Sequence, residues 1–111
     1  MKYLSEAIGT FFLIAVVVGS GIMAENLSAG NNAVALLGNT IATGAILFVI
    51  IKMFGKISGA HFNPIVTMIF YLKKEVNLEE SIKYILIQII FGLFAIITVH
   101  FIFEQSIIQI S

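Results

Sequence analysis

The 111-residue chain contains no cysteine, no arginine and no aspartate. Without cysteine there is no disulfide framework, no thiol nucleophile and no thiolate metal site. Charge of either sign is scarce: 11% of the residues are charged, less than half the roughly 25% of a soluble domain. The six lysines and six glutamates cancel, which leaves no electrostatic attraction for nucleic acid or another acidic partner. No ATP-binding motif, metal-ligand cluster or nucleophile–base spacing is present, so the sequence implies no cofactor, no metal and no catalytic residue. Apolar residues fill the space instead: 59% of the chain belongs to the set AVILMFWYC, and the mean hydropathy is +1.07. This composition excludes a soluble enzyme, a nucleic-acid-binding domain and a disordered chain. The length accommodates one small membrane domain.

Three runs carry no charged residue: Ala7–Ala24, Ala33–Ile51 and Tyr84–Phe103, of 18, 19 and 20 residues. Each is long enough to cross a hydrocarbon core of about 30 Å. The first follows Lys2 as a signal sequence would. It is too long for an h-region, however, and lacks a small-x-small cleavage site, so it reads as a retained helix. Glu25–Asn32 makes a polar turn. The second run ends at Lys52, and Gly55-Lys56-Ile57-Ser58-Gly59 predicts a helix break. Asn63–Leu72 follows, apolar but short, stopped by Lys73-Lys74-Glu75. Ten helical residues reach about 15 Å, half the hydrocarbon thickness, so this stretch is either a re-entrant half-helix or a helix lying at the surface. Asn77 with Glu80 three residues on has the spacing of a capping box for the third span. After Glu104, residues Gln105 to Ser111 are too few for another crossing. The expected fold class is an all-α membrane protein in a single domain over residues 1–111. Its transmembrane helices cover about 7–24, 33–51 and 84–103, and its half-helix about 63–72.

The lysines set an orientation. Lys2 precedes the first span, Lys52 and Lys56 follow the second, and Lys73, Lys74 and Lys83 precede the third. With three crossings all six fall on the side where the chain starts, which predicts a cytoplasmic N-terminus by the positive-inside rule.

The segment richest in chemistry is Ser58-Gly59-Ala60-His61-Phe62-Asn63-Pro64-Ile65-Val66-Thr67. Asn63 can cap a helix whose first residue is Pro64. Gly59 permits unusual backbone angles, so the carbonyls of Gly59, Ala60 and His61 can point away from any helix. Irregular backbone at membrane depth is tolerated only when buried in protein or lining a wet cavity, and a half-helix N-terminus projects positive potential into such a cavity. Two readings stay open on these grounds. One is a polar, proton-hostile lining for small neutral solutes; the other is an amphipathic surface helix after a glycine-rich turn, with His61 merely satisfied at the cytoplasmic mouth.

SGAHFNPIVT resembles the first signature box of the aquaporin and aquaglyceroporin channels, usually SGAHxNPAVT. Ser5-Glu6-Ala7-Ile8-Gly9-Thr10-Phe11-Phe12 is similar to that family's opening AExxGTFxL, and Gly19-Ser20-Gly21 to its glycine-rich end of helix one. Gly44 and the series Tyr84-x3-Gln88-x3-Gly92 resemble its helices two and three. The likeness is collinear over nearly the whole chain.

The resemblance implies one inverted-repeat half of a six-helix channel, each half holding three helices and one half-helix. This chain matches the first repeat only. It lacks the second Asn-Pro-Ala box and the filter arginine, so a whole pore requires a second half. By the same resemblance, Asn63 would donate its amide to the passing solute and Pro64 would start the half-helix. The carbonyls of Gly59, Ala60 and His61 would form an acceptor ladder, and Thr43 would contribute to the filter. Glu6 would hold the loop before Asn63 by accepting its N–H groups, which suits the expense of an intramembrane carboxylate. Ile65 departs from the usual alanine where the two boxes meet, and its branched side chain would widen or distort that contact. The implied partners are the lipid bilayer of the cell membrane, a small neutral solute such as water or glycerol, and a second half-channel. That half is a distinct chain or an inverted copy, and the lysine asymmetry favours the distinct chain. A non-conducting membrane interaction module, or a truncated channel fragment, is the alternative.

Overall fold

Long uncharged stretches of Leu, Ile, Val, Phe and Ala satisfy their backbone internally in lipid by becoming helical. The computed structural model describes the backbone of residues 1–27 and 30–110. Ser28, Ala29 and Ser111, with the side chains of Glu25 and of residues 104–110, lie outside the described residues. Four helices occur among the described residues: α1 (Lys2–Leu27), α2 (Asn32–Ser58), α3 (Pro64–Leu72) and α4 (Leu78–Ile110). Three stretches are long and apolar enough to cross a membrane: Lys2–Ala24, Asn32–Ser58 and Leu78–Phe103. The nine residues of α3 reach only about 14 Å. Helix α1 packs against both α2 and α4, and α3 packs against α4.

The packing is inverted relative to a soluble domain. Leu36, Ile41, Phe48, Ile90 and Ile97 are each exposed by 60% or more, whereas Glu6, Thr10, Ser58, Thr67 and Gln88 are buried. Lipid, being as apolar as leucine, accepts the first group, and the protein interior takes the polar side chains that lipid rejects. Gly9 makes one close approach possible, since a Cβ there would collide with the Phe62 ring.

The helices run further than the uncharged runs. Helix α1 starts at Lys2 and α4 at Leu78 because a charge at the interface ends the apolar run without ending the helix. Helix α2 continues past Lys52 to Ser58, through Gly55. A single internal glycine costs a helix about 1 kcal/mol, which is not a break. The stop comes at Gly59, whose φ of 88° is left-handed and whose N–H donates to the Gly55 carbonyl, a glycine C-cap. The α4 cap also differs from a full capping box. Asn77 Oδ1 accepts the Glu80 N–H at 2.7 Å, but the Glu80 carboxylate turns to Lys2 Nζ at 2.7 Å. That ion pair ties the start of α1 to the start of α4.

Candidate pore-lining site

The segment between α2 and α3 turns sharply. Gly59 (φ 88°), Ala60 (φ 55°) and Phe62 (φ 53°) are all left-handed. For a non-glycine residue that conformation costs roughly 1–2 kcal/mol, so Ala60 and Phe62 need outside support. Glu6, fully buried on α1, supplies much of it. Its Oε2 accepts the Ser58 hydroxyl at 2.7 Å and the His61 N–H at 3.2 Å. Its Oε1 accepts the Phe62 N–H at 2.9 Å and the Gln88 amide at 2.8 Å. All four partners are donors, so the carboxylate acts only as an acceptor. The Ala60 N–H donates to Ser58 Oγ at 3.1 Å, and the Tyr84 hydroxyl donates to the Ser58 carbonyl at 2.8 Å.

A second layer lies behind this ring. Gln88 Nε2 also donates to Thr67 Oγ1 at 3.1 Å, and Thr67 Oγ1 lies 2.9 Å from His61 Nδ1. Thr67 Oγ1 therefore accepts from Gln88 and shares a second hydrogen bond with His61 Nδ1. The imidazole stacks on Phe70 with centroids 4.6 Å apart and meets Tyr84 edge-on at 5.0 Å.

Asn63 leads α3. Its Oδ1 accepts the Ile65 N–H at 2.8 Å, and its carbonyl accepts the Thr67 N–H. Pro64, which has no N–H to satisfy, occupies the first helical position. The cap consumes the oxygen of the Asn63 amide and leaves both Nδ2 protons without a partner among the described residues. The carbonyls of Gly59, Ala60 and His61 likewise accept no hydrogen bond there. Ile65 stands exposed (66%) at the tip of α3.

Beside this tip lies a cavity of about 260 Å³ between α1 and α4, walled by Ile14, Ile89, Leu93 and Ile96 and reaching Asn63 and Pro64. Thr10 and Gln88 also line it, and Thr10 Oγ1 and Gln88 Oε1 are buried with no partner among the described residues.

The structure brings Glu6, Gly59, Ala60, His61, Asn63, Pro64 and Ile65 to one end of α3. Thr43 stands apart on α2, its hydroxyl donating to the Asn39 carbonyl at 2.8 Å. Sequence reasoning did not single out Ser58, Thr67, Tyr84 or Gln88 as site residues. Their signal was present in part: Tyr84 and Gln88 are polar groups four residues apart in an otherwise apolar span, on one helical face.

An acceptor edge, an amide donor and a helix N-terminus thus gather around one irregular loop, carried by membrane-length helices. The chain belongs to the major intrinsic protein family, whose model matches residues 1–110. It is 42% identical to the aquaglyceroporin AqpS of Rhizobium meliloti (strain 1021), over 99% of this chain and 47% of the relative. It is 33% identical to nodulin-26 of Glycine max, over 99% of this chain and 40% of the relative. A glycerol uptake facilitator protein-like 6 of Lactiplantibacillus plantarum is 34% identical over 80% of this chain and 38% of the relative. The chain thus spans under half the length of these curated relatives. No solved structure matches it.

Proposed function

We propose that this multi-pass membrane protein is the first-repeat half of a passive channel for water or small neutral solutes such as glycerol. The observation that carries the reading is the Asn63 cap, in which the oxygen serves α3 and the amide protons are left to a passing solute. Gly59, Ala60 and His61 supply the facing acceptors, and α3 enters the membrane part-way with its N-terminus at mid-depth. Family membership supports a channel over an enzyme, and the name of the Rhizobium relative supports glycerol as a solute.

The pore closes only with a second half, on a longer polypeptide or as a separate chain. Its half-helix tip meets Ile65 and fills the apolar cavity beside Asn63. With all six lysines on one side, an inverted copy of this chain would break the positive-inside rule, so the second half is a different sequence. Stopped-flow swelling of vesicles tests this. Solute flux is expected from the chain with a second half and not from the chain alone. Absence of flux from the combined halves, at verified incorporation, would return the chain to a non-conducting module.

The N-terminus and the lysine-bearing loops lie in the cytoplasm, with the channel in the cell membrane. Cysteines placed at Lys73 and at Asn26 are expected to label from opposite sides of sealed cells. Labelling of both from one side would overturn this topology.

A further inference from the structure

The geometry points to Asn39 as a further solute-contacting residue, a donor for the oxygen of a hydroxylated neutral solute, one helical turn from Thr43 toward the lysine-free end. The inference rests on the channel reading and extends its lining beyond the loop.

Helix α2 carries a stripe of small and polar residues, Asn32, Ala35, Asn39 and Thr43, at spacings of three, four and four. Leu37, Ile41 and Phe48, on other faces, are more than 60% exposed as lipid contacts. Asn39 lies about 10 Å along the helix from Asn32, inside the uncharged run. An amide at that depth belongs against protein or a wet cavity. Here it has both. The Ser20 hydroxyl on α1 donates to Asn39 Oδ1 at 2.7 Å, which fixes the plane of the amide. The Nδ2 group then opens into a cavity of about 340 Å³ that Gly21, Asn32, Ala35 and Leu36 also line. No residue among those described accepts its protons.

Gly21 keeps that cavity open. A Cβ at Gly21 would sit 3.7, 3.8 and 3.9 Å from Asn39 Nδ2, Cγ and Oδ1, an ordinary contact over the face of the amide that would take room from the cavity without displacing the side chain. The Thr43 proton is already committed to the Asn39 carbonyl, so the Thr43 oxygen can only accept. A solute hydroxyl that accepts from Asn39 therefore finds an acceptor about 6 Å further along. The order of donor then acceptor suits small polyols, which offer both functions on neighbouring carbons.

The test needs no second half. The full chain, ¹⁵N-labelled in lipid nanodiscs, is titrated with glycerol while the side-chain amide of Asn39 is followed, assigned by its loss in Asn39→Leu. The expected result is a glycerol-dependent shift of the Asn39 amide larger than that of Asn77, an exposed amide at the other end of the bundle. Gly21→Ala is expected to raise the glycerol concentration at half-maximal shift roughly two- to twelve-fold as the methyl crowds the solute beside Asn39, the equivalent of one neutral hydrogen bond. An Asn39 response no larger than that of Asn77, or one unchanged by Gly21→Ala, would overturn the assignment. Such a failure leaves the channel reading to its flux experiment, and a failure of flux with a responding Asn39 would fall on the channel reading alone.

Discussion

Glu6→Gln is expected to lower the unfolding free energy of the chain by about 2–5 kcal/mol, because hydrogen bonds to a charged group are the stronger kind and stranded buried donors cost about 1–3 kcal/mol each. The carboxylate is fully buried and meets four donors and no acceptor. Glutamine keeps the shape but turns one oxygen into a donor, so two of those four groups lose their acceptor and face protons instead. The left-handed residues Ala60 and Phe62 then lose the contacts that hold them, and the loop relaxes toward ordinary backbone angles. Thermal unfolding in nanodiscs measures the loss, and hydrogen exchange at the His61 and Phe62 amides locates it. The comparison is Glu75→Gln, at an exposed carboxylate in the α3–α4 turn, where a change within about ±0.5 kcal/mol is expected. Equal losses in the two variants would remove Glu6 from its supporting role.

Asn63→Asp is expected to reduce neutral-solute flux roughly 5- to 150-fold while leaving the fold intact, the rate equivalent of an unmade hydrogen bond worth about 1–3 kcal/mol. Aspartate retains the oxygen that accepts the Ile65 N–H, and aspartate is as good an N-cap as asparagine. What it removes is the pair of amide protons. Asn63→Leu deletes both functions and is expected to lose about 1 kcal/mol of stability in addition. The measurement is stopped-flow permeability of the paired halves at equal incorporation, with melting recorded alongside. Unimpaired flux in Asn63→Asp would show that solutes pass without using that amide.

Much of the architecture was legible because membrane helices are written in composition. Uncharged runs of 18 to 20 residues locate the crossings, and Asn-Pro before an apolar stretch marks a helix start. The ends were less legible. A lysine at the interface closes an apolar run but not a helix, so α2 passes Lys52 and reaches Ser58. Glu80 had the spacing of a capping box, yet Lys2 is 78 positions away in sequence and only 2.7 Å away in space; no local pattern contains that pair. The ring around Glu6 has the same character. An acid in an apolar helix announces that it needs donors. That Gln88 on α4 and Ser58 at the end of α2 are among them depends on how three helices pack. Thr67 is a still harder case, since one threonine inside a nine-residue helix carries no local sign that it joins an imidazole to an amide.

The spread of these donors along the polypeptide has a consequence for biogenesis. Ribosomes deliver the chain from the N-terminus, so α1 reaches the bilayer before any partner of Glu6 has been made. Ser58, His61 and Phe62 emerge some fifty residues later, and Gln88 only after α3 and the first turns of α4. During that interval Glu6 stays close to the headgroups, about one helical turn from Lys2, where water can solvate it. Helix α1 therefore enters its final depth late, drawn inward when the loop and α4 arrive. Helix α1 is made before the groups that hold Glu6, so its docking waits on a loop and a helix synthesised after it.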